Sequence, residues 1–418
     1  MTNLHSETWF QDPALTRLMT LLNADGAETR VVGGAVRNSL MGLPVGDIDI
    51  ATTLLPGAVV DLAKAAGIKA VPTGIAHGTV TLVLNGRGYE VTTLRRDVST
   101  DGRHAEVAFG TDWQIDAERR DLTINALYAD KAGEVIDLVK GMADITTRTV
   151  RFIGDATARI NEDYLRVLRF FRFFAHYGSG RPDADGLRAS ARAKAKLHTL
   201  SAERVWSEMK KLLGAKDPGR ALLWMRQSGV LTEILPETEK WGIDTIPALV
   251  ATEQALGWAP DPMLRLAAVV PPDVERLEAL AKRLRLSKAE ATTLAYWAAS
   301  PVIPEGITDA VFDRMLYRSG RDGLVMRLKL ALASARAAVD EDTATMQRAG
   351  RLATLLQRAE NFQKPAFPLS GADVLALGVP AGPQVGEILS DLEQKWVEMN
   401  FSWGRAALLE RLKSHGPA

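Results

Sequence analysis

The sequence predicts an α+β protein, with a mixed α/β head followed by a chain that is almost entirely helical. Short β-rich runs alternate with helical patterns up to about residue 150, and helical periodicity dominates after that point. Glycine and proline separate the helical patterns, and the chain shows no fixed-period repeat and no low-complexity tract. We therefore predict three parts: a head at residues 1–150, a helical neck at 151–235, and a helical body and tail at 236–418.

The composition is that of an ordinary globular protein, and it excludes several chemistries. None of the 418 residues is cysteine, so thiolate catalysis and disulfides are excluded, and we expect a cytoplasmic location. The N-terminus lacks the features of a secretory signal, and basic residues interrupt the most apolar run, Leu324–Val339, so no membrane partner is expected. Net charge is zero, yet Arg159–Lys211 carries 12 Lys and Arg against 6 Asp and Glu. That excess indicates either a solvated helical face or a phosphate-binding strip.

The head is predicted from four β-rich runs and two helical patterns. Its last run alternates side chains as a half-buried strand does. One helical pattern follows a Gly-Gly turn, and the other follows a proline. The predicted strands are Thr29–Val32, Asp47–Thr52, Thr79–Leu84 and Tyr89–Leu94, and the predicted helices are Ala35–Met41 and Gly57–Ala66.

The neck and body are predicted from helical periodicity. The first pattern, Ala156–His176, is rich in Phe and Leu, and the spacing of Ser287 and Glu290 matches a capping box. Loops or joints are expected at Pro236–Gly242, Pro301–Gly306 and Lys364–Gly371, and further helices at Ala202–Leu213, Gly219–Ser228, Pro262–Val270, Val274–Leu284 and Ala289–Ala298.

A Gly-Gly turn between a predicted strand and a predicted helix is the first candidate site. Gly33 and Gly34 let a ligand approach the backbone N–H groups, and the positive N-terminal end of the helix suits a triphosphate. Arg37 lies one turn into this helix, where its guanidinium can meet phosphate oxygens. An ordinary strand–helix turn is the alternative, and the P-loop pattern is absent here.

The tripeptide Asp47-Ile48-Asp49 is the second candidate site. Strand alternation places both carboxylates on one face and Ile48 in the core. Adjacent carboxylates repel each other unless a cation lies between them, and hard oxygen ligands suit Mg²⁺. A bare D-x-D pattern is common, but 14 residues after the Gly-Gly turn it predicts the metal site of nucleotidyl transfer. Glu90, on a neighbouring predicted strand, is either a third acidic group near the metal or a solvent-facing residue.

The polar stretch Arg95–Asp116 contains an Asp-Gly pair and is predicted to include a mobile loop. Arg120 follows it and is a candidate to bind phosphate or ribose. Asp121 and Asn125 lie four residues apart, on one face of a predicted helix. Taken alone, this segment is more typical of a capped surface helix.

A basic helical segment in the neck is a candidate to recognise a nucleotide base. Asp163 and Arg166, at i and i+3, share a face of the predicted helix and can both reach one flat base. A carboxylate accepts from the amino group of cytosine or adenine, whereas guanine O6 and uracil O4 would oppose it with a second acceptor. Such a pair would select C and A without a template. Arg169 and Arg172 are better suited to binding phosphate or bracing the head, and a salt-bridged amphipathic helix is the alternative for the whole row.

Six segments, in this order, resemble the class II tRNA nucleotidyltransferase and bacterial poly(A) polymerase family. They extend over about half of the chain, and their combination is specific although each is weak alone. Asn38 stands where the family commonly has Asp, and we expect it to order the turn rather than bind metal. The segments are GGAVRN (33–38), DID (47–49), EVTTLR (90–95), RRDLTINAL (119–127), EDYLRVLRFFRF (162–173) and AERVWSEMKKLL (202–213).

The resemblance implies a polymerase-β-like head followed by a helical neck, and a body and tail that bind RNA. It implies that Asp47 and Asp49 are catalytic and hold Mg²⁺, and that Asp163 and Arg166 read the base. The residues expected to bind the nucleotide are Gly33, Gly34, Arg37, Arg120, Asp121, Asp163, Arg166, Arg169 and Arg172.

The activity expected from the resemblance is the addition of C, C and A to the 3′ end of tRNA from CTP and ATP, with release of pyrophosphate. A poly(A) polymerase or an enzyme that adds only A is the alternative, but the basic element expected of bacterial poly(A) polymerases is not found after the D-x-D strand. A non-catalytic RNA-binding protein would show degraded metal ligands, yet Asp47 and Asp49 are intact.

Overall fold

The computed structural model describes residues 2–101, 104–239, 242–338 and 343–414, with only the main chain described at 97–101 and 104–107. The chain divides into two units, Met1–Glu239 and Lys240–Ala418. The α+β class is confirmed, because the strands lie in the first unit and both units contain many helices. The strands are β1 (Thr29–Val32), β2 (Asp49–Thr52), β3 (Lys69–Gly74), β4 (Thr79–Leu84), β5 (Arg87–Thr93), β6 (Arg95–Asp101), β7 (His104–Phe109), β8 (Leu127–Ala129) and β9 (Val135–Asp137).

A seven-stranded mixed sheet forms the framework of the head, in the order β3-β4-β5-β2-β1-β8-β9. Among its described pairs, β2 and β5 run parallel and the other neighbours run antiparallel. The register places Asp49, at the start of β2, opposite Val32 of β1 and beside Glu90 of β5. The sheet therefore brings the start of the D-x-D strand β2 and the Gly-Gly turn after β1 to the same edge.

Helices cover the sheet and extend the first unit into the neck. Asp12 caps the first helix by accepting from the Ala14 N–H at 2.8 Å, and proline begins both the first and the third helix, where its missing N–H is harmless. The helices are α1 (Pro13–Leu22), α2 (Gly34–Leu40), α3 (Pro56–Ala65), α4 (Trp113–Glu118), α5 (Gly141–Thr147), α6 (Ala156–Glu162), α7 (Leu165–Tyr177), α8 (Ala184–Ala193), α9 (Ala202–Leu213), α10 (Gly219–Gln227) and α11 (Val230–Ile234), with 3₁₀ turns at Ile75–His77, Thr123–Asn125, Lys194–Thr199 and Pro236–Thr238.

All of the regular secondary structure described in the second unit is helical. The predicted capping box is confirmed, because the Glu290 N–H donates to Ser287 Oγ at 3.3 Å and the Ser287 N–H donates to Glu290 Oε2 at 2.8 Å. No helix in the described part of the chain is long and apolar enough to cross a membrane. The helices are α12 (Thr245–Leu256), α13 (Pro262–Val269), α14 (Val274–Arg283), α15 (Lys288–Ala299), α16 (Asp309–Ser319), α17 (Arg321–Ala337), α18 (Thr343–Asn361), α19 (Gly371–Leu375), α20 (Pro383–Glu398) and α21 (Arg405–Lys413).

The stretch Arg95–Asp116, which was predicted to include a mobile loop, consists mostly of regular secondary structure. The strands β6 and β7 pair antiparallel across it, and α4 begins at Trp113. Gly102 and Arg103, which follow β6 in the chain, lie outside the described residues.

The predicted neck helix Ala156–His176 is also wrong, because it is broken in the middle. Asp163 ends α6 with an extended backbone, at φ −155° and ψ 109°, and α7 starts two residues later. The Asp163 carboxylate accepts from the Leu165 N–H at 3.1 Å, as a capping side chain does. Asp163 and Arg166 therefore do not share one face of a continuous helix.

The helix predicted at Asp121–Asn125 and the start of the D-x-D strand need correction too. Asp121 precedes a single 3₁₀ turn, Thr123–Asn125, rather than lying in an α-helix, although its Oδ1 still accepts from Asn125 Nδ2 at 3.3 Å. The strand β2 starts at Asp49 rather than Asp47. Asp47 thus lies in the connection that leads into the strand, where its main chain is not held by the sheet.

Candidate active site

A polar cavity of about 770 Å³ opens in the first unit, between the edge of the sheet and the neck helices. It brings together all eleven residues predicted to bind metal or nucleotide, whereas Glu90 is not among its described lining residues. Eight basic side chains and four acidic ones line it, and this excess of positive charge suits a polyanion. The lining residues are Gly33, Gly34, Arg37, Asn38, Gly46, Asp47, Asp49, Arg95, Arg119, Arg120, Asp121, Asn125, Asp163, Arg166, Arg169, Arg172, Phe173 and Lys211.

The Gly-Gly turn leads from β1 into α2. Gly33 has φ 75° and ψ −117°, a backbone conformation that favours glycine, and the Cβ that another residue would carry lies 3.6 Å from the Asn125 carbonyl. The helix α2 has only seven residues, so charged side chains rather than its dipole supply most of the positive charge here.

Arg37 is buried at the wall of the cavity and is held on several sides. Its guanidinium donates to the Asn125 side chain and to the Tyr177 hydroxyl, the latter at 2.7 Å, and it lies 4.0 Å from the centre of the Tyr177 ring. Burial lowers the pKa of Arg37, while Tyr177 opposes that effect. The side chain is therefore positioned before any ligand binds.

Asn38 connects Arg37 to the segment that carries Asp47. Its Oδ1 accepts from Arg37 Nε at 3.1 Å and from Arg37 Nη2 at 2.9 Å, and its Nδ2 donates to the Pro44 carbonyl at 2.8 Å. The Gly46 carbonyl, one residue before Asp47, accepts from Arg87. These contacts agree with the expectation that Asn38 orders the turn.

The D-x-D carboxylates lie at the sheet edge, around a buried isoleucine. Ile48 and Ile50 are 1% and 0% exposed, whereas Asp47 and Asp49 face the cavity. Burial raises the pKa of Asp49, and the negative charges of Glu90 and Asp47 raise it further against the opposing effect of Arg120. This crowding of negative charge is what a divalent cation relieves.

The donor set fits a metal that is shared with a ligand. Within residues 2–101, 104–239, 242–338 and 343–414, no group of three or more His, Asp or Glu side chains is arranged to hold a metal by itself. Mg²⁺ is usually bound through one or two carboxylates together with substrate phosphates and water, so the pair Asp47 and Asp49 is sufficient on the protein side. Glu90 remains open between its two predicted roles, since it lies in register beside Asp49 but does not line the described cavity.

Arg119 and Arg120 are anchored by a carboxylate that we did not single out from the sequence. Asp116 is 1% exposed and accepts from Arg119 Nε at 2.8 Å, from Arg120 Nη2 at 3.0 Å and from the Tyr128 hydroxyl at 2.9 Å. Burial opposes ionisation of Asp116, but the two arginines outweigh it and lower its pKa. The same pairing raises the pKa of Arg120 in spite of its burial.

The predicted base-reading pair faces the cavity, but the two side chains contact other residues. Asp163 Oδ2 accepts from Arg204 at 2.5 Å, and Arg166 pairs with Glu162 and donates to the Arg159 carbonyl at 3.0 Å. Each side chain is thus oriented by its own neighbours. Their role in reading a base stays a prediction.

The two remaining arginines of the neck pair with carboxylates far along the chain. Arg169 Nε donates to Asp121 Oδ2 at 2.6 Å, and Arg172 Nε donates to Glu208 Oε2, also at 2.6 Å. The first contact braces the neck helix against the head, one of the two roles expected for Arg169. Asp121 is accordingly a partner of Arg169, and its predicted direct contact with the nucleotide remains a prediction.

Several contributors were missed from the sequence. Asp116 carried a signal, because an acid four residues before Arg120 on a helix is a standard pairing distance. Glu208, Tyr177 and Lys211 carried none. Glu208 and Tyr177 hold lining arginines that lie 36 and 140 residues away in the chain, and Lys211 lines the cavity itself. Only the fold could identify them.

Comparison with known proteins assigns the family. The family model for the "Poly A polymerase head domain" matches residues 29–151, and the model described as "Probable RNA and SrmB- binding site of polymerase A" matches residues 183–241. The mitochondrial CCA tRNA nucleotidyltransferase 1 of Mus musculus is 35% identical over 96% of this chain and 89% of its own length. The chain belongs to the CCA tRNA nucleotidyltransferase family. The predicted enzyme class, a nucleotidyltransferase that acts in tRNA processing, is thereby confirmed.

Bacterial relatives and solved structures agree with this assignment. The CCA-adding enzyme of Latilactobacillus sakei is 31% identical over 95% of this chain and 96% of its own length. The crystal structure of the Bacillus stearothermophilus CCA-adding enzyme in complex with CTP is similar, with a TM-score of 0.72, 26% identity and 96% coverage of both chains. The family model for RNA binding matches residues 183–241. Most of this match lies before residue 236, whereas the resemblance assigned RNA binding to residues 236–418.

Proposed function

We propose that this protein adds C, C and A to the 3′ end of tRNA, using CTP and ATP and releasing pyrophosphate. The observation that carries the proposal is the single basic cavity lined both by the D-x-D carboxylates of the head and by Asp163 and Arg166 of the neck. Support comes from relatives named for CCA addition and from similar structures described as complexes with CTP, with ATP and with tRNA. Both matching family models are named for poly(A) polymerase, so poly(A) synthesis is the alternative that the reaction test must distinguish.

The proposed chemistry is an in-line attack of the tRNA 3′-hydroxyl on the α-phosphate of the bound nucleotide. Arg37, Arg120 and Arg169 supply positive charge to the triphosphate, and their carboxylate, amide and hydroxyl partners hold them in place before the nucleotide arrives. Charge that is positioned in advance stabilises the transition state without a cost of reorganisation at the moment of reaction.

Asp47 and Asp49 are the proposed protein ligands of Mg²⁺. When bound there, Mg²⁺ would supply Lewis acidity at the attacking hydroxyl and neutralise charge on the leaving pyrophosphate. The two carboxylates are hard oxygen donors at the polar wall of the cavity, and the raised pKa of Asp49 indicates that its site favours a compensating cation.

Base selection is proposed to depend on Asp163 and Arg166. Arg204 orients the Asp163 carboxylate and Glu162 orients the Arg166 guanidinium, so that both groups face the cavity with fixed donors and acceptors. A carboxylate acceptor fits the amino group of C and A and leaves G and U with opposed acceptors. The division of the chain into head (1–150), neck (151–235) and RNA-binding body and tail (236–418) is part of the same proposal.

The test is a reaction with tRNA that lacks its last three nucleotides, in the presence of CTP, ATP and Mg²⁺. We expect C, C and A to be added in that order, as read by sequencing of the product ends. Addition of a single A would instead identify an A-adding enzyme, and long A tails would identify a poly(A) polymerase. Binding of tRNA without release of pyrophosphate would identify a non-catalytic protein.

Variants test the metal assignment in the same reaction. Asp47→Ala and Asp49→Ala are expected to abolish incorporation while binding of tRNA persists, and chelation of divalent cations should have the same effect until Mg²⁺ is restored. Asp61→Ala, an exposed aspartate of α3 in the same head, is the matched control and should remain active. Full activity of either of the first two variants would disprove the assignment.

A further inference from the structure

A second cavity, of about 650 Å³, lies within the second unit and is unlike the first. Its walls come mainly from α15, α17, α18 and the loop before α16, and most of its lining is apolar, including the 3% exposed Trp297. Its volume is within the range of about 300–1,000 Å³ that is typical of sites for small organic ligands. Val302, which is exposed, also lines this cavity, and this indicates that the cavity opens to solvent there.

Three arginines line this apolar cavity, and they differ in their partners. Arg351 pairs with Asp309 at 2.8 Å and Arg348 pairs with Glu305 at 3.6 Å. Arg327 pairs with no carboxylate among the described residues: its Nη2 donates to the Ala298 carbonyl at 3.1 Å, and its buried Nε has no hydrogen-bond partner. The cavity therefore contains a guanidinium whose charge and whose Nε–H are not satisfied by the described protein.

An unsatisfied buried donor is costly, so this arrangement calls for an acceptor. Burial lowers the pKa of Arg327, and no neighbouring charge opposes that effect. An anionic group that entered the cavity would restore the missing hydrogen bond and the missing counter-charge together. The apolar walls would at the same time bury a hydrocarbon or aromatic body.

We infer that the cavity around Arg327 binds a small amphipathic organic anion, with the acidic group on the Arg327 guanidinium and the apolar body against Trp297 and the walls from α17 and α18. The site is separate from the nucleotide cavity and does not depend on the proposed function. A nucleoside triphosphate is a poor match. Its several phosphates would face only one guanidinium that lacks a carboxylate partner, and the described lining offers no carboxylate-bound metal and no further free cation to neutralise them.

The binding test uses two probes with one carbon skeleton. The probes are 8-anilinonaphthalene-1-sulfonate and its neutral analogue N-phenyl-1-naphthylamine, and each is titrated into the full-length folded protein while its fluorescence is followed. We expect saturable binding of one sulfonate per chain. Arg327→Gln should weaken binding of the sulfonate by about tenfold or more and binding of the neutral analogue by much less, since only the anion uses the guanidinium.

Matched variants distinguish this site from non-specific binding. Arg348→Gln, which removes a carboxylate-paired arginine of the same cavity, should leave binding of both probes nearly unchanged, and Ala331→Phe, which fills the cavity, should weaken both. Equal effects of Arg327→Gln on the two probes, binding at several sites, or an inert Ala331→Phe would overturn the inference. If Arg327→Gln does not fold, Arg327→Lys replaces it. Weaker but retained binding of the sulfonate would then support the inference, and unchanged binding would contradict it.

Discussion

Arg169 of α7 donates from Nε to Asp121 Oδ2 at 2.6 Å, across 48 residues of sequence. Burial opposes ionisation of Asp121, but Arg169 outweighs it and lowers the Asp121 pKa. This ion pair joins the neck helix to the head within one unit, at the wall of the proposed active site.

Removing this pair should reveal a favourable coupling energy. In a double-mutant cycle of Asp121→Asn, Arg169→Gln and the double variant, we expect a coupling free energy of about 1–3 kcal/mol in the stability of the fold, because both side chains are largely buried. Urea unfolding followed by tryptophan fluorescence measures it. The exposed pair Asp185 and Arg188 is the control and should show no measurable coupling, since solvent screens it. Equal coupling in the two cycles would contradict the assignment of a bracing role.

Asp116 should stabilise the protein in a pH-dependent way. Asp116→Asn is expected to lower the free energy of unfolding by about 2–4 kcal/mol at pH 7, because two arginines lose a buried counter-charge. The pKa of Asp116 is lowered in the folded state, so this stabilisation is present above the unfolded carboxyl pKa of about 4 and is lost as the pH falls through the folded value.

Unfolding of the wild type and Asp116→Asn at several pH values checks this prediction. The difference between them should be constant from neutral pH to about pH 5 and should shrink below about pH 4. Glu118→Gln, an exposed acid of the same helix, should show no such difference. A difference that grows on acidification would have the wrong sign for this mechanism.

Asp163→Asn should relax the choice of base. An amide can turn its N–H₂ toward guanine O6 or uracil O4, so incorporation of G and U should rise by about tenfold or more relative to C and A. Single-nucleotide incorporation with each of the four triphosphates measures this ratio. Arg204→Gln removes the guanidinium that orients the Asp163 carboxylate but leaves the carboxylate itself in place. This variant should lower kcat/KM while the preference for C and A persists. Unchanged discrimination in Asp163→Asn would place base selection elsewhere.

Two substitutions at Asn38 should separate its two contacts. Asn38→Asp keeps an acceptor for Arg37 but removes the donor to the Pro44 carbonyl, and we expect activity within about threefold of wild type. Asn38→Ala removes both contacts, and we expect kcat/KM to fall by about tenfold because Arg37 and the segment before Asp47 lose a shared anchor. Steady-state incorporation of CTP checks both. A loss in Asn38→Asp as large as that in Asn38→Ala would show that the Pro44 contact dominates.

Local patterns were enough to predict part of the fold. The strand Thr29–Val32, the strand Thr79–Leu84 and the helix Ala202–Leu213 were predicted with the bounds that the structure gives them, because their periodicity and their Gly or Pro boundaries are properties of short segments. The hairpin of β6 and β7 was missed, because β6 has almost no apolar residues and the two strands pair with each other in a separate two-stranded sheet.

For the site, the sequence by itself determined which residue types were available: a carboxylate pair after a Gly-Gly turn, and a row of arginines in the neck. Only the tertiary structure decided how they are used. Because the helix breaks at Asp163, Asp163 and Arg166 do not share one helical face, and each side chain is held by its own neighbours. The pairing of Arg172 with Glu208 depends on helices that meet only after folding. The physical reason is the range of the interactions: capping and periodicity act within a few residues, whereas the partners of a buried charge are chosen by whichever segments the fold packs around it.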